Sequence, residues 1–292
     1  DLAGIASDLL PQPHSSTDIA GELTTRSADE LGLKKGIPVI VGTGDTGALL
    51  TGVGAVENES STVYLGSAAQ IDVTIEKPVL DPGMRIPVRC HTIPESWFTS
   101  ATTSTSGTAL RWFVEQFLRT ETRSERKAGV SYKALDEQAD VVPPGSRGLL
   151  FLPYLLGGRA PIWDPKASGA FIGIHLSSTK IDFYRSILEG VAFSLKDLLE
   201  VYTEMGIKLS EARFSGGGAK SSLWKRIVSD VLGLKCLDMS NPLEASALGV
   251  AMCVNVALGR QRSFKDAAGK FRGIEGICVP NEETRIRYET LF

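Results

Sequence analysis

The sequence predicts an α/β fold on a mixed sheet, an antiparallel β-meander first and βαβα crossovers second. Three observations point to it. Four short runs between Ser60 and Ala101 are rich in β-branched and aromatic residues and are bounded by turn residues, as strands of a meander are. From Leu149 onward, strand-like runs alternate with amphipathic helical runs, which makes the helices crossovers covering a sheet. With 292 residues, 42% of them hydrophobic and 22% charged, the chain can bury such a core.

Taken in order, the first 35 residues read as turn, helix and turn with no strand leading in, and the chain starts at Asp1 rather than Met, so it reads as cut from something longer. Ile37 to Val41 is a β-branched strand after Lys35-Gly36, and Asp45 to Val53 a small-residue helix. The meander strands are Ser60 to Leu65, Ala69 to Ile75, Ile86 to Ile93 and Ser96 to Ala101, the first pair joined tightly through Gly66-Ser67. Thr105 to Leu118 has helical apolar spacing, with Leu110, Phe113, Val114 and Phe117 on one side. A charged stretch, "RTETRSERKAG", separates it from a helix around Tyr132 to Ala139. Strands follow at Leu149 to Leu152 and Ala170 to Ile174, then a long amphipathic helix, Lys180 to Met205. A strand ends in Arg213-Phe214-Ser215 at three glycines; after it come a helix from Ser221 to Leu232, a strand from Lys235 to Met239 and a helix from Leu243 to Leu258.

Composition narrows the function. Net charge is −3 with Lys and Arg spread along the chain, so a nucleic-acid partner or an acidic membrane surface is not expected. No apolar run reaches the roughly 18 residues that span a bilayer, and "DLAGIASDLLPQ" has neither the basic nor the apolar region of a secretion signal, so a cytoplasmic location is expected. Cys90, Cys236, Cys253 and Cys278 lie far apart and are expected to be buried thiols; His14, His91 and His175 show no metal-ligand spacing and are expected to be structural. There is no repeat of 20 to 50 residues that would indicate a solenoid.

Three stretches carry chemistry. "VIVGTGDTGALLTGVG" fits the dinucleotide fingerprint G-x-G-x-x-G at Gly42 to Gly47, the Asp-Thr-Gly of an aspartic protease at Asp45, and a base presented at a helix start. "FSGGGAKSSLW" runs a strand into Gly216, Gly217 and Gly218 and then a helix, bringing backbone N–H groups and a positive helix end toward a ligand such as a nucleotide. It is not a Walker loop: Ala219 stands where the last glycine belongs, and the loop is too short. A tight turn with no ligand is the plainer account, although such a turn normally needs only one residue at positive φ. "YLGSAAQIDV" places Gly66 and Ser67 at a hairpin that can offer N–H and hydroxyl donors to phosphate, and an ordinary hairpin explains them as well.

"GAFIGIHLSSTKIDFYRSILEG", Gly169 to Gly190, resembles the second signature of the FGGY carbohydrate kinases: a small residue, an aromatic two positions on, Gly-Ile, seven residues, then Asp-Phe-x-x-Ser-Ile-Leu-Glu. "GTGDTGA", "YLGSA", "FLPYLLGGRAP", "FSGGGAKSSLW" and "EASALGVA" follow in the family's order, so the resemblance runs from about Ile37 to Gly259 and is to the carboxy-terminal half of such a kinase, of the xylulokinase branch.

The resemblance implies a ribonuclease-H-like, actin-like kinase in which two lobes close on a sugar or polyol and ATP with magnesium. On the family's pattern Asp45 is the base that takes the proton from the sugar hydroxyl, and Thr46 is beside the sugar. Gly66 and Ser67 face the β- and γ-phosphates, Gly107 lines the phosphate and ribose region, and Gly216, Gly217, Gly218, Ala219 and Ser222 hold the adenosine. Residues 1–57 are then the tail of the amino-terminal, sugar-binding lobe and residues 58–292 the nucleotide-binding lobe. The dinucleotide and protease readings of Asp45 are disfavoured, because a meander rather than a βαβ unit follows it and there is no second Asp-Thr-Gly or Asp-Ser-Gly, and a plain helix N-cap Asp remains the alternative to a base. This chain departs from the family at Thr46, where Asn or Gln is usual, and at Gly158, where Glu is common and would pair with Arg159. The family's amino-terminal D-x-G-T is absent, so the chain is expected to need an amino-terminal lobe, in cis or in trans, and to self-associate without it. The alternative is a non-catalytic nucleotide-binding or regulatory module of the same fold.

Overall fold

A computed structural model describes residues 6, 9–118, 130–240, 243–271 and 273–292; the charged stretch from Arg119 to Gly129 lies outside them. Strands β1 (Ile19–Glu22) and β2 (Pro38–Ile40) pair antiparallel as a ribbon, with helix α1 (Thr25–Leu31) between them. β1 corrects the expectation of no strand near the amino terminus. "IAGE" has little β-propensity of its own and is held extended by pairing with β2.

The mixed sheet has seven strands: β3 (Ser61–Leu65), β4 (Ala69–Ile75), β5 (Val88–Cys90), β6 (Trp97–Thr102), β9 (Glu211–Ser215), β10 (Lys235–Met239) and β11 (Ile274–Cys278), in the order β11-β10-β9-β3-β4-β6-β5. β3 and β10 run parallel to β9, and the other pairs are antiparallel. The meander is therefore not strictly sequential: β6 enters between β4 and β5, leaving β5 as a three-residue edge. Cys90, on that edge, is exposed rather than buried, Cys278 is half-buried, and Cys236 and Cys253 are buried.

β7 (Leu150–Leu152) and β8 (Ala170–Ile172) do not join the sheet as the alternating pattern suggested. They form an antiparallel pair of their own. The helix expected over Thr105 to Leu118 divides into α3 (Gly107–Phe113) and a π-helical turn, Val114–Leu118, which leaves Phe117 half-exposed. α4 (Tyr132–Asp140) follows.

One sheet face is buried by α5 (Lys180–Glu204) and α6 (Ser222–Leu232). α5 starts at a capping box between Thr179 and Asp182 and buries Ile187, Leu188, Val191, Leu195 and Leu198. The opposite face is covered by α2 (Asp45–Gly52) and α7 (Ala245–Ala257), where Leu49, Leu50 and Val53 meet Phe98, Leu237 and Met239. The result is helix, sheet and helix in three layers. The carboxy-terminal segment adds α8 (Phe264–Phe271), β11 and α9 (Glu282–Leu291), none marked by the motifs above.

The recognisable stretch Asp182 to Glu189 is scaffold. The Glu189 carboxylate, fully buried, accepts from Arg185 Nε (2.8 Å), Tyr288 Oη (2.8 Å), Ser146 Oγ (2.7 Å) and Gly145 N (3.0 Å), tying α5 to α9 and to the turn before β7.

Candidate functional site

The β3–β4 hairpin turns at Gly66-Ser67 and is fastened to the start of α3. Gly107 N donates to the Gly66 carbonyl at 2.9 Å, and Ser106 N and Thr108 N donate to the Ser67 carbonyl at 2.9 and 3.2 Å. A Cβ on Gly107 would lie 2.7 Å from that Gly66 oxygen, so the contact requires glycine.

Facing the hairpin, β9 ends in the triple glycine, and its three members differ. Gly216 has φ +83°, and a Cβ there would meet the Leu65 carbonyl at 2.7 Å. At Gly218 a Cβ would lie 2.7 Å from Leu65 Cβ and 3.0 Å from the Trp224 ring. A Cβ on Gly217 would meet no heavy atom within 4 Å beyond its chain neighbours. The protein's own packing thus explains two of the glycines, and the third is exposed on the 3-10 turn Gly217–Lys220. Ser221 caps α6 by accepting from Trp224 N at 3.0 Å, and the Trp224 indole donates to the Leu188 carbonyl at 3.1 Å, which fixes that wall.

Between hairpin and glycine turn lies a cleft of about 820 Å³, within the range of small-molecule sites. Gly66, Ser67, Gly107, Gly217, Gly218 and Ser222 all line it, although they come from three separate stretches of sequence. Gly216 and Ala219 do not line it; both are buried behind the turn. The third wall is α4, unmarked by any motif, whose Tyr132, Lys133, Asp136, Glu137 and Asp140 face the cleft. The spacing of Lys133, Asp136, Glu137 and Asp140 along one helical stripe was the available signal. Asp136 accepts from Tyr184 Oη at 2.7 Å, and burial together with that carboxylate pushes the phenol well above its ordinary range. An exposed ion pair, Arg226 to Asp140 at 2.6 Å, joins α6 to α4.

Asp45 and Thr46 do not line this cleft. Asp45 is the first residue of α2, on the opposite face of the sheet, where its exposed carboxylate accepts from Thr46 N at 2.7 Å and Thr46 Oγ1 at 3.3 Å. The preceding loop is tied to the β5–β6 connection by Thr92 Oγ1 to Thr43 Oγ1 at 2.9 Å and by Ser16 Oγ to the Thr92 carbonyl. The hairpin therefore has a cleft with open backbone on one side and a helix-terminal carboxylate on the other.

His91 is structural. Buried against Phe98 in a T-shaped contact of 5.8 Å, it accepts from Ile93 N through Nδ1 at 3.1 Å, and burial pulls its pKa down to about 4. Among the described residues no three His, Cys, Asp or Glu side chains converge as a metal site, and no helix is long and apolar enough to cross a membrane.

Residues 63–258 match the family model "FGGY family of carbohydrate kinases, C-terminal domain". The chain is 31% identical to a gluconokinase of Bacillus subtilis (strain 168), covering 100% of this chain and 56% of that relative. It is 27% identical to a xylulose kinase of Staphylococcus epidermidis, covering 98% of this chain and 55% of the relative. Its fold superposes on the crystal structure of xylulose kinase from Rhodospirillum rubrum with a TM-score of 0.84 at 27% identity, over 99% of this chain and 57% of that one. FGGY kinases have the actin-like ATPase fold, and the mixed sheet between helical layers is that fold. The chain spans about half the length of the curated relatives it matches and belongs to the FGGY family of carbohydrate kinases.

Proposed function

We propose that this chain is the catalytic, nucleotide-binding half of an ATP-dependent kinase that phosphorylates a sugar or polyol hydroxyl. The observation that carries this is Gly217: it is a glycine the protein's own packing does not require, and it opens on a cleft that also exposes the phosphate-type hairpin Gly66-Ser67.

The adenosine lies against Gly217, Gly218 and Ser222, and the phosphates reach Gly66 and Ser67. The acceptor enters from the α2 side with its hydroxyl hydrogen-bonded to Asp45. The acceptor oxygen forms a bond to the γ-phosphorus as the bond from phosphorus to the β–γ bridging oxygen breaks, ADP leaves, and the proton passes to the Asp45 carboxylate. Because the transition state of phosphoryl transfer is loose, a positioned carboxylate of ordinary basicity suffices. Magnesium, which neutralises phosphate charge, would ride on the nucleotide with bound waters rather than in a protein cage.

The sugar is held chiefly by an amino-terminal lobe, of which residues 1–57 are the tail. The β1–β2 ribbon shows Ile19, Ile37, Val39 and Val41 to solvent, each at least 40% exposed, an apolar strip suited to that contact. The relatives' names bracket two acceptor chemistries, a neutral ketose and an aldonate anion.

The test is Asp45→Asn in a polypeptide carrying both lobes. Turnover falls by about a hundredfold or more while ADP affinity stays within about twofold, since the change removes a proton acceptor and little volume. Retained turnover would make Asp45 a helix cap, and a wild-type protein that binds ADP but phosphorylates no sugar would indicate a regulatory module.

A further inference from the structure

β4 alternates strictly. Ile71 and Val73 enter the core under α5, so Gln70, Asp72 and Thr74 point to the α2 side, and Thr74 Oγ1 donates to the Ala55 carbonyl at 2.7 Å just past α2. Asp72 is fully buried there, an unusual place for a carboxylate that forms no ion pair among the described residues. One oxygen, Oδ2, accepts from Gln70 Nε2 at 2.8 Å. The Ser100 hydroxyl, directly across on β6, also favours the ionised carboxylate, while the other oxygen, Oδ1, has no partner of good hydrogen-bond geometry, and neither has the hydroxyl of Thr62 across on β3.

An ionised carboxylate only accepts hydrogen bonds, so it dictates which end of the Gln70 amide it holds. With Nε2 anchored, the planar amide turns Oε1 away from Asp72. Gln70 is half-buried and lies one residue beyond the Leu65–Ala69 pair that closes the Gly66-Ser67 hairpin. Asp45 is close enough to Asp72 for their charges to interact.

We propose, on the sugar-kinase reading above, that Asp72 is a positioning residue for acceptor specificity: it fixes Gln70 so that Oε1 receives a hydroxyl of a neutral polyhydroxy acceptor beside Asp45, and the two carboxylates together disfavour an anionic acceptor.

The surroundings of Asp72 are mixed in charge. Asp45 at the start of α2 is anionic, Arg89 on β5 is cationic and exposed, Ser100 on β6 and Thr62 and Tyr64 on β3 are neutral, and Arg213 on β9 lies one strand beyond Thr62. His91 bonds Thr74 farther along, and Tyr202, on the α5 side, donates to the Ile71 carbonyl. Asp72 bonds Gln70 directly, whereas Arg89 and Arg213 stand on strands two places away on either side of β4, so an anion reaching Gln70 meets a carboxylate before either guanidinium. Burial, the largest influence, lifts the Asp72 pKa to about 6, so the carboxylate is ionised at pH 7.5. Once protonated, Asp72 can donate, the amide is free to reverse, and the charge is gone; acceptor preference then changes as pH falls through about 6.

Two measurements test this. In this chain alone, the Asp72 carboxyl carbon and the Gln70 side-chain amide are followed by NMR from pH 4.5 to 7.5. Both signals should move with a shared midpoint, and Asp72→Asn should abolish the movement at Gln70; a Gln70 amide indifferent to pH overturns the anchoring. In a polypeptide carrying both lobes, kcat/KM is compared for D-xylulose as the neutral probe and D-gluconate as the anionic one. Asp72→Asn should shift the ratio toward D-gluconate by about tenfold or more, and the wild-type KM for D-gluconate should fall as pH drops through 6 but stay flat in Asp72→Asn. A ratio unchanged within about twofold in both Asp72→Asn and Gln70→Leu overturns the specificity assignment. If the wild type phosphorylates no acceptor of either kind, the kinase reading fails and the specificity role with it, while the NMR result still decides the Asp72–Gln70 unit.

Discussion

Gly217→Val separates a ligand contact from a folding requirement. Its Cβ would have no heavy atom within 4 Å and Gly217 has no left-handed φ, so the folded chain accepts valine with a stability change of under about 1 kcal/mol. In the cleft, the same isopropyl group stands where the adenosine must approach the backbone. The loss is at least the contact with one face of the nucleoside, about 1.4 kcal/mol or more, a tenfold rise in Kd for ADP. Gly218→Val is the internal control. Its Cβ falls 2.7 Å from Leu65 Cβ and 3.0 Å from the Trp224 ring, overpacking that costs about 1–3 kcal/mol and lowers Tm by several degrees. Calorimetric titration with ADP and thermal melts on the three proteins give the answer. Wild-type ADP affinity in a normally folded Gly217→Val protein would refute the nucleotide assignment, and an equal loss of Tm in both variants would refute the division of the three glycines.

Without an amino-terminal lobe the chain should release no ADP in response to ketoses, polyols or aldonates, yet bind ADP with a Kd on the order of micromolar to millimolar and self-associate through its exposed apolar strip; turnover with any sugar would show the acceptor site to be misplaced. Glu189→Ala leaves Arg185 buried without its carboxylate and should cost about 3–5 kcal/mol in urea unfolding, while Glu189→Gln, which keeps the acceptor, should cost less; a neutral Glu189→Ala would remove the hub role. Acid stability should split by sign. Burial holds His91 down to about 4, below the 6.5 of an unfolded chain, so unfolding takes up a proton and stability falls between those values as pH drops. Asp72 is held up to about 6 from 3.8, so the native state takes up the proton and stability rises as pH drops through that window. Each is worth on the order of 3 kcal/mol. They nearly cancel in the wild type, so urea melts at pH 7 and 4.5 should show His91→Phe gaining stability toward acid and Asp72→Asn losing it; an unchanged pH dependence in both variants would contradict the burial account.

What the sequence made legible follows from where each constraint acts. Local constraints could be read. The glycine turns, the strand Lys235–Met239 and the capped helix from Lys180 depend on residues adjacent in sequence, and these elements stand within a residue or two of their expected places. Pairings decided at long range could not. β1 exists because β2 lies beside it, β6 displaces β5 from β4, and β7 with β8 leaves the sheet, each choice made by partners 15 or more residues distant with no local mark. The cleft divides in the same way. Its glycines declare themselves, since a missing side chain is visible in any sequence, but only the neighbours of Gly216 and Gly218 show which absence serves packing and which leaves room for a ligand. The α4 wall was written as an acidic stripe, yet nothing in a stripe says what it faces. Asp72 is the extreme case. In "AQIDVTI" it is the polar residue of an alternating strand, and such residues normally point to water. Here α2 and α7 cover that face, so the alternation that would have solvated Asp72 buries it beside Gln70. A strand pattern reports which residues share a face, and only the layer packed on that face decides whether a carboxylate is a solvated surface group or the anchor of a binding residue.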